Sequence, residues 1–525
     1  MIKLPQLKLP KKHYSFKDYH QTTLDYIDYV TNPKNIYDAE NNEINGYIEH
    51  RRVRKIARFL PSKNIDEYFK SSGNLAFGLP AYIGSKQEDD CVGEAINILA
   101  LVLSGILNGL DMENYKGFNY LKSCVHFFDV KHNIITNTDY KRDSLWYLFY
   151  SAVLFTNIAL SSHKDYLDEI VILSALTTMK MAESVNFNFE FVSFDFDSFM
   201  PIYNNTRTEE EGLVGAAYVM YGAYLIGTKR SLDPVTLKSL KESSIKCIDK
   251  YYSYNKSPQY EILSYIAPYL ACVFNEKFKT SYNIDKLIHF TLNGKNRVRV
   301  GWGMIQTLYY SRYTVGLLGS ITDGSGYPFT MNTFAYSMGI IPLLQYTKDP
   351  HIINFVARWA LASSVSARLF YPEAHSFVKT LVSYGKTKVV SGIQQSGVWI
   401  DQHSPKASFI AYEGLRKNRR IPYYFNNQRK TKFYQYGPYA SGDAYTFNWY
   451  GHTDYGLYGS SHVGLFGAIY KSSGINGIIK TKLNTLDFLN PSSENNILIF
   501  NPHKYTIDYE GVLIKSKEAI IMKEN

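Results

Sequence analysis

The chain has 525 residues, of which 45% are hydrophobic and 20% charged, a balance that fits a globular protein and excludes a disordered or fibrous one. Its 57 basic and 47 acidic side chains leave a charge of +10, too slight at this length to require a nucleic-acid partner. Cys91, Cys124, Cys247 and Cys272 lie far apart with no CxxC pair, which argues against a disulfide frame or zinc site and for free thiols in a reducing compartment.

The opening stretch, MIKLPQLKLPKKHYSF, carries charge without an apolar core, so no secretory signal is read there and a cytoplasmic location is expected. Residues 1–90 form a mixed N-terminal segment. Within it, HRRVRKIARF (50–59) holds five Arg or Lys residues at partly helical spacing, the pattern of a solvated helix face. VGEAINILALVLSGILNGL (92–110) is the most apolar run, yet Glu94, Asn97, Asn108 and three glycines interrupt it. A buried core helix is expected, and no membrane span.

Helix-length apolar runs then follow one another at 145–161, 168–185, 211–228, 235–252, 260–273, 284–293, 333–346 and 351–370. Asp143 and Ser144 are placed to cap the first of these, and Asp233–Pro234 to open the run at 235. Several are apolar nearly all round and must be covered on every side. The recurrence of roughly 25 residues per helix suits stacked helical hairpins. The fold expected is mainly α: an (α/α) toroid, incomplete or of six hairpins, over residues 91–480, followed by a small β region at 481–525. The tail NILIFNPHKYTIDYEGVLIKSKEAIIM alternates apolar and polar residues as short strands do.

Two stretches concentrate chemistry. FNWYGHTDYGLYGSSHVGLFG (447–467) holds His452, His462, Asp454 and six aromatics among five glycines, a composition read as an ordered loop rather than a helix. Trp449, Tyr455 and Tyr458 would stack on sugar faces while the histidines and Asp454 exchange protons. TDGSGYPFTMNTF offers Asp323, Tyr327 and Asn332 ahead of a helix, which Asn332 or Thr333 would cap. The ten-residue gap between the histidines matches no usual zinc spacing, so neither a metal nor another cofactor is expected. No GxGxxG, P-loop, HExxH or GxSxG motif occurs.

The blocks RVGWGM (299–304), TDGSGYPFTMNTFAYSMG (322–339), ARLFYPE (367–373), IAYEGLR (410–416), GPYASGDA (437–444) and GLYGSSHVGLFGAI (456–469), with 260–294, resemble a group of bacterial, mostly secreted proteins. In that group a helical toroid like those of polysaccharide lyases and some glycoside hydrolases precedes a β domain. The resemblance covers roughly residues 250–515, and this chain differs in its short β tail and its want of a signal. It implies a carbohydrate substrate, acidic in the first reading, cleaved by β-elimination with Asn332, His452 and Tyr455 and with Arg368 pairing the uronate carboxylate. Hydrolysis is the alternative, drawing paired carboxylates from Asp323, Glu373, Glu413, Asp443 and Asp454. His375 and the aromatics above would line the groove. A third reading is a glycan-binding or polysaccharide-assembly protein without turnover.

Overall fold

The computed structural model describes residues 3–11, 16–32, 36–37, 57–79, 82–84, 93–138, 141, 143–205, 207–295, 300–308, 313–320, 327–371, 374, 378–381, 390–393, 400–401, 414–416, 420–425, 428–433, 439–441, 453–490 and 492–524. The helices are α1 (Tyr19–Val30), α2 (Lys63–Phe69), α3 (Ala95–Leu107), α4 (Tyr120–Ser123), α5 (Leu145–Ser162), α6 (Asp165–Ser184) and α7 (Gly212–Lys229). There follow α8 (Pro234–Ser253), α9 (Ala267–Phe278), α10 (Ile284–Leu292), α11 (Thr330–Ala335), α12 (Ser337–Ile340), α13 (Pro350–Ser366) and α14 (Leu457–Ile469). Small antiparallel sheets lie mostly toward the C-terminus.

Burial sorts the helices into two sets. In α3, α5, α7 and α14 nearly every residue is buried, which their uniform apolarity requires. By contrast α6 buries only Leu167, Ile170, Val171, Ser174, Ala175, Thr178, Met181 and Ala182, one stripe at helical spacing. Helix α8 does the same with Leu240, Ser243, Ser244, Cys247, Ile248 and Tyr251. The buried set makes a continuous run of neighbours. Helix α3 touches α5, α5 touches α7, α7 touches the 3-10 turn Leu263–Ile266 leading into α9, α12 touches that turn and α9, and α11 touches α14, which returns to α3. Helices α1, α6 and α8 pack outside this run.

Glycine sets the closeness of that packing. A Cβ on Gly464 of α14 would lie 2.3 Å from Ser104 Cβ of α3, and one on Gly459 2.3 Å from Thr330 Cβ of α11. On Gly467 it would meet the Tyr19 carbonyl of α1 at 2.8 Å. The expectation of a loop across 447–467 is therefore corrected over 457–467, while residues 447–452 lie outside the described residues. The glycines belong to a helix enclosed on three sides, where the missing side chains let backbones approach. Gly339 is tighter still, with its Cβ position 1.7 Å from the Tyr265 carbonyl oxygen.

The expected caps divide. Asp233 accepts from Thr236 N at 2.9 Å with Pro234 in the first turn, as predicted. Ser144 caps nothing, and Asp143 turns away to accept from Asn137 N at 2.5 Å. Neither Asn332 nor Thr333 caps α11, because both sit inside it; Thr333 Oγ1 donates to the Phe329 carbonyl at 2.8 Å. The tail strands appear where expected, at Asn496–Phe500, Ile507–Tyr509, Val512–Ile514 and Ala519–Lys523. Their main sheet also takes in Tyr470–Ser472 and Ile479–Lys482, so pairing begins ahead of the expected boundary at 481. Cys124, Cys247 and Cys272 are buried free thiols, while Cys91 lies outside the described residues, as do residues 50–56 of the basic stretch. Helix α5 alone among the described helices is long and apolar enough to cross a membrane, and 83% of it is buried in the protein.

Replacing Gly464 by Ala should overpack the α14–α3 contact and destabilise the fold by about 2 kcal/mol. A urea titration would read this as a lower midpoint at unchanged slope. A midpoint equal to that of the unsubstituted protein would show that α14 does not approach α3 this closely.

Candidate functional site at the helix N-termini

The first turns of the buried helices meet at one end. Tyr458 at the start of α14 donates a short hydrogen bond to Glu94, the residue before α3. Asn137 Nδ2 donates to the same Glu94 oxygen at 3.0 Å, while Asn137 Oδ1 accepts from Ile96 N at 3.1 Å. Asn332 of α11 donates to Tyr265 Oη at 3.3 Å in the turn ahead of α9.

A helix start leaves backbone N–H groups without intrahelical acceptors. Here carboxylates from a neighbouring segment supply them. Glu209 accepts from Trp146 N of α5 at 2.8 Å. Glu211 accepts from Glu261 N at 2.8 Å, Tyr260 N at 3.1 Å and Ser264 N at 3.2 Å. Both glutamates come from the run TEEEG that opens α7, and both are fully buried. Glu209 also pairs with Arg207, whose guanidinium lies 4.2 Å over the Tyr260 ring.

Burial governs the electrostatics. It pushes the Glu211 and Asp143 carboxyls up to about 7 against the donors that favour their charged forms, and it raises Glu209 too. Half-buried Tyr147 is held well above the usual phenol range, first by desolvation and then by the charges of Glu94 and Glu261. Those two carboxylates thus disfavour the charged form of one phenol. The described acids here, Glu94, Asp143, Glu209, Glu210, Glu211 and Glu261, outnumber the single described guanidinium, Arg207, that adjoins them.

One turn into α14, His462 is fully buried. Its Nδ1 lies 2.6 Å from the Tyr458 carbonyl and its Nε2 2.7 Å from Tyr150 Oη. A carbonyl can only accept, so the proton sits on Nδ1 and Nε2 receives the Tyr150 hydroxyl. Burial lowers the imidazole to about 4 and keeps it neutral.

Of the residues nominated from sequence, Asn332, Tyr458 and His462 reach this end of the buried helices, all three buried. Tyr455 and Asp454 lie on the strand Thr453–Gly456 just before α14, where Tyr455 pairs in register with Ile83. Tyr327 lies on the strand Tyr327–Pro328 just before α11. Arg368 belongs to the turn Ala367–Phe370, which contacts α11. Asp323, Glu373, His375, Glu413, Asp443, Trp449 and His452 lie outside the described residues. Reasoning from sequence missed Glu94, Tyr147, Tyr150, Arg207, Glu209, Glu211, Tyr260, Glu261 and Tyr265. The triple glutamate directly ahead of an apolar run was the signal available for two of them. Among the described residues no group of three or more His, Cys, Asp or Glu side chains is arranged to hold a metal ion. Comparison with family models, curated proteins and solved structures finds no match for this chain.

A depressed imidazole stabilises the fold above its unfolded value of 6.5, and that contribution is lost as pH falls through about 4. His126, lowered to about 4 by burial, follows the same course. His462→Gln should therefore flatten the acid limb of a stability–pH curve by one proton step, worth up to about 3 kcal/mol. Urea titrations between these pH values measure it, and an unchanged limb would place a charged imidazole at 462.

Proposed function

We propose that the buried helices and their outer partners form a closed (α/α) toroid, and that the protein hydrolyses a neutral or amino-sugar glycan at the end where the inner helices begin. The return of helix contacts from α14 to α3 supports the toroid. The observation that supports the chemistry is Glu94 held at the start of α3 by hydrogen bonds from Tyr458 and Asn137, with Glu261 close enough to act on the same Tyr147 phenol. Hydrolysis of a glycosidic bond needs two carboxyl groups, one on each side of that bond.

The contacts of Glu94 assign one role and leave the other to Glu261. Glu94 receives hydrogen bonds from Tyr458 and Asn137, which favour its charged form and suit it to the base. Glu261 is the proton donor. As the bond from the anomeric carbon to the leaving oxygen breaks, Glu261 gives that oxygen its proton. Water adds to the carbon and loses a proton to Glu94, so the protein ends with its proton count unchanged. Tyr147 offers its face to the sugar, and the Arg207 guanidinium, stacked on the Tyr260 ring, lies at the same end.

Elimination from a uronate is the second reading, favoured by the buried Asn332–Tyr265 pair and by Tyr458 donating to Glu94. The surplus of carboxylates weighs against an anionic sugar, since like charges repel across a site of low dielectric.

Neutral, amino and uronate oligosaccharides, assayed side by side for reducing ends and for the unsaturated-uronate absorbance, separate the readings. Glu94→Gln and Glu261→Gln should each lower kcat by about 100-fold or more while the melting temperature stays near that of the parent. Absorbance from uronates would overturn hydrolysis in favour of elimination, and binding with neither signal would leave a glycan-binding protein.

A further inference from the structure

Glu94 immediately precedes α3, where a side-chain oxygen commonly accepts from the first helical N–H groups, yet its carboxylate makes no such bond. A residue from elsewhere answers the helix instead. The Asn137 carbonyl accepts from Ala95 N at 2.9 Å, and Asn137 Oδ1 accepts from Ile96 N at 3.1 Å. With those donors satisfied, the Glu94 carboxylate is turned to Tyr458 of α14 and to Asn137 Nδ2 at 3.0 Å. Asn137 is buried, and Ser151 Oγ of α5 reaches its Oδ1 at 3.4 Å. Ile96 N can only donate, which fixes the orientation of the amide.

Asn137 is held in turn by Asp143. That carboxylate is buried and accepts from Asn137 N at 2.5 Å, from Thr138 Oγ1 at 3.1 Å and from Thr138 N at 3.3 Å. The Asp143 carbonyl accepts from Ser193 Oγ at 2.6 Å, which ties it to the hairpin Ser193–Asp195/Met200–Ile202. The donors favour the charged carboxylate. Burial opposes them more strongly and lifts the group to about 7, with the charge of Glu94 adding to the rise. Nearby cations are engaged elsewhere: Arg207, whose Nη2 reaches Ser144 Oγ at 3.0 Å, pairs with Glu209, and Lys141 lies 3.0 Å from Asp197. Among the described residues, the titratable groups that act on or bond to Glu94 are Tyr458 of α14, Tyr147 of α5 and Asp143 itself.

We propose that Asp143 is the positioning residue for Glu94, acting through Asn137, and that the protonation state of Asp143 sets how firmly the Glu94 carboxylate is held. This rests on the reading of Glu94 as the base and adds the regulation of that base by pH. Ionised Asp143 makes charge-assisted bonds to Asn137 N and Thr138 N, roughly twice as strong as bonds to a neutral carboxyl. The loop that presents the Asn137 amide therefore tightens as pH rises through about 7. The same negative charge beside Glu94 favours the passing of a proton to it, which is what a base needs. Below that pH, a proton on Asp143 meets donors at Asn137 N and Thr138 N, and of these three partners only Thr138 Oγ1 can turn to accept it. The grip then loosens.

The test follows the Glu94 carboxylate stretch of the full chain by isotope-edited infrared difference spectroscopy between about pH 5 and 9, the band being the one lost in Glu94→Gln. It should shift in a single step centred near 7. Asp143→Asn should abolish the step. Thr138→Val removes one donor to Asp143 from an exposed position, so it should move the step up by as much as about one pH unit and leave the melting temperature near that of the parent. A purely structural role for Asp143 moves neither. No step in the folded wild-type chain, or a step that Thr138→Val leaves in place, overturns the relay. With cello-oligosaccharides and chitosan oligosaccharides, kcat should rise through the same step while KM holds, and turnover that ignores the step also overturns the proposal. A band step moved by Thr138→Val, without reducing-end release by the unsubstituted chain, would instead leave the relay standing and overturn hydrolysis.

Discussion

Close backbone approach through glycine is the constraint on which the rest depends. Helix α14 is buried along its whole length and must fit between α1, α3 and α11. Side chains at positions 459, 464 and 467 would hold those neighbours apart, and glycine removes them. Ser104 Oγ then reaches the Ser461 carbonyl at 2.7 Å, and Asn108 Nδ2 the Gly464 carbonyl at 2.9 Å. Polar residues inside an apolar helix thus lace α3 to α14 instead of standing unsatisfied. Gly215 against Phe149 and Gly222 against Thr156 serve the α7–α5 contact in the same way.

A set of helices drawn so close, with first turns at one end, gathers unsatisfied N–H groups there, and the protein answers them with acid. Glu209 and Glu211 are both structural and electrostatic: they close the starts of α5 and of the turn before α9 while loading the same end with carboxyl groups. Helix starts favour negative charge, which offsets part of the burial cost. The acidity of the site is therefore in part a consequence of how the fold caps itself. Glu94 and Glu261 complete the acidic set at that end.

The fold was legible where a single physical signal dominated. Apolar runs of helical length mark α3, α5, α6, α7, α8 and α13 to within a few residues, and alternation marks the tail strands, because burial on all sides or on one side writes itself directly into composition. It was illegible where one residue type serves two ends. Glycine at 459, 464 and 467 reads equally as a loop near a ligand or as helix contact, and only the identity of the neighbours decides. Capping failed for a related reason: Ser144 stands at the right position, yet Glu209, far along the chain, supplies the acceptor. The candidate site follows the same division. Asn332, Tyr458 and His462 drew attention by sitting in unusual local sequence, whereas Glu94, just ahead of α3, and Tyr147 and Tyr150 in α5 belong to ordinary-looking apolar runs and acquire meaning only from what faces them. Glu94 looked like a blemish in a hydrophobic run, and its value comes from Tyr458, which lies 364 positions away.

The most direct measurement is a crystal structure of the Glu94→Gln protein soaked with a neutral oligosaccharide. The account predicts sugar density stacked on Tyr147, with its glycosidic oxygen within about 3 Å of the Glu261 carboxyl. Density lodged elsewhere on the molecule, with the helix N-termini closed over dry side chains, would contradict it.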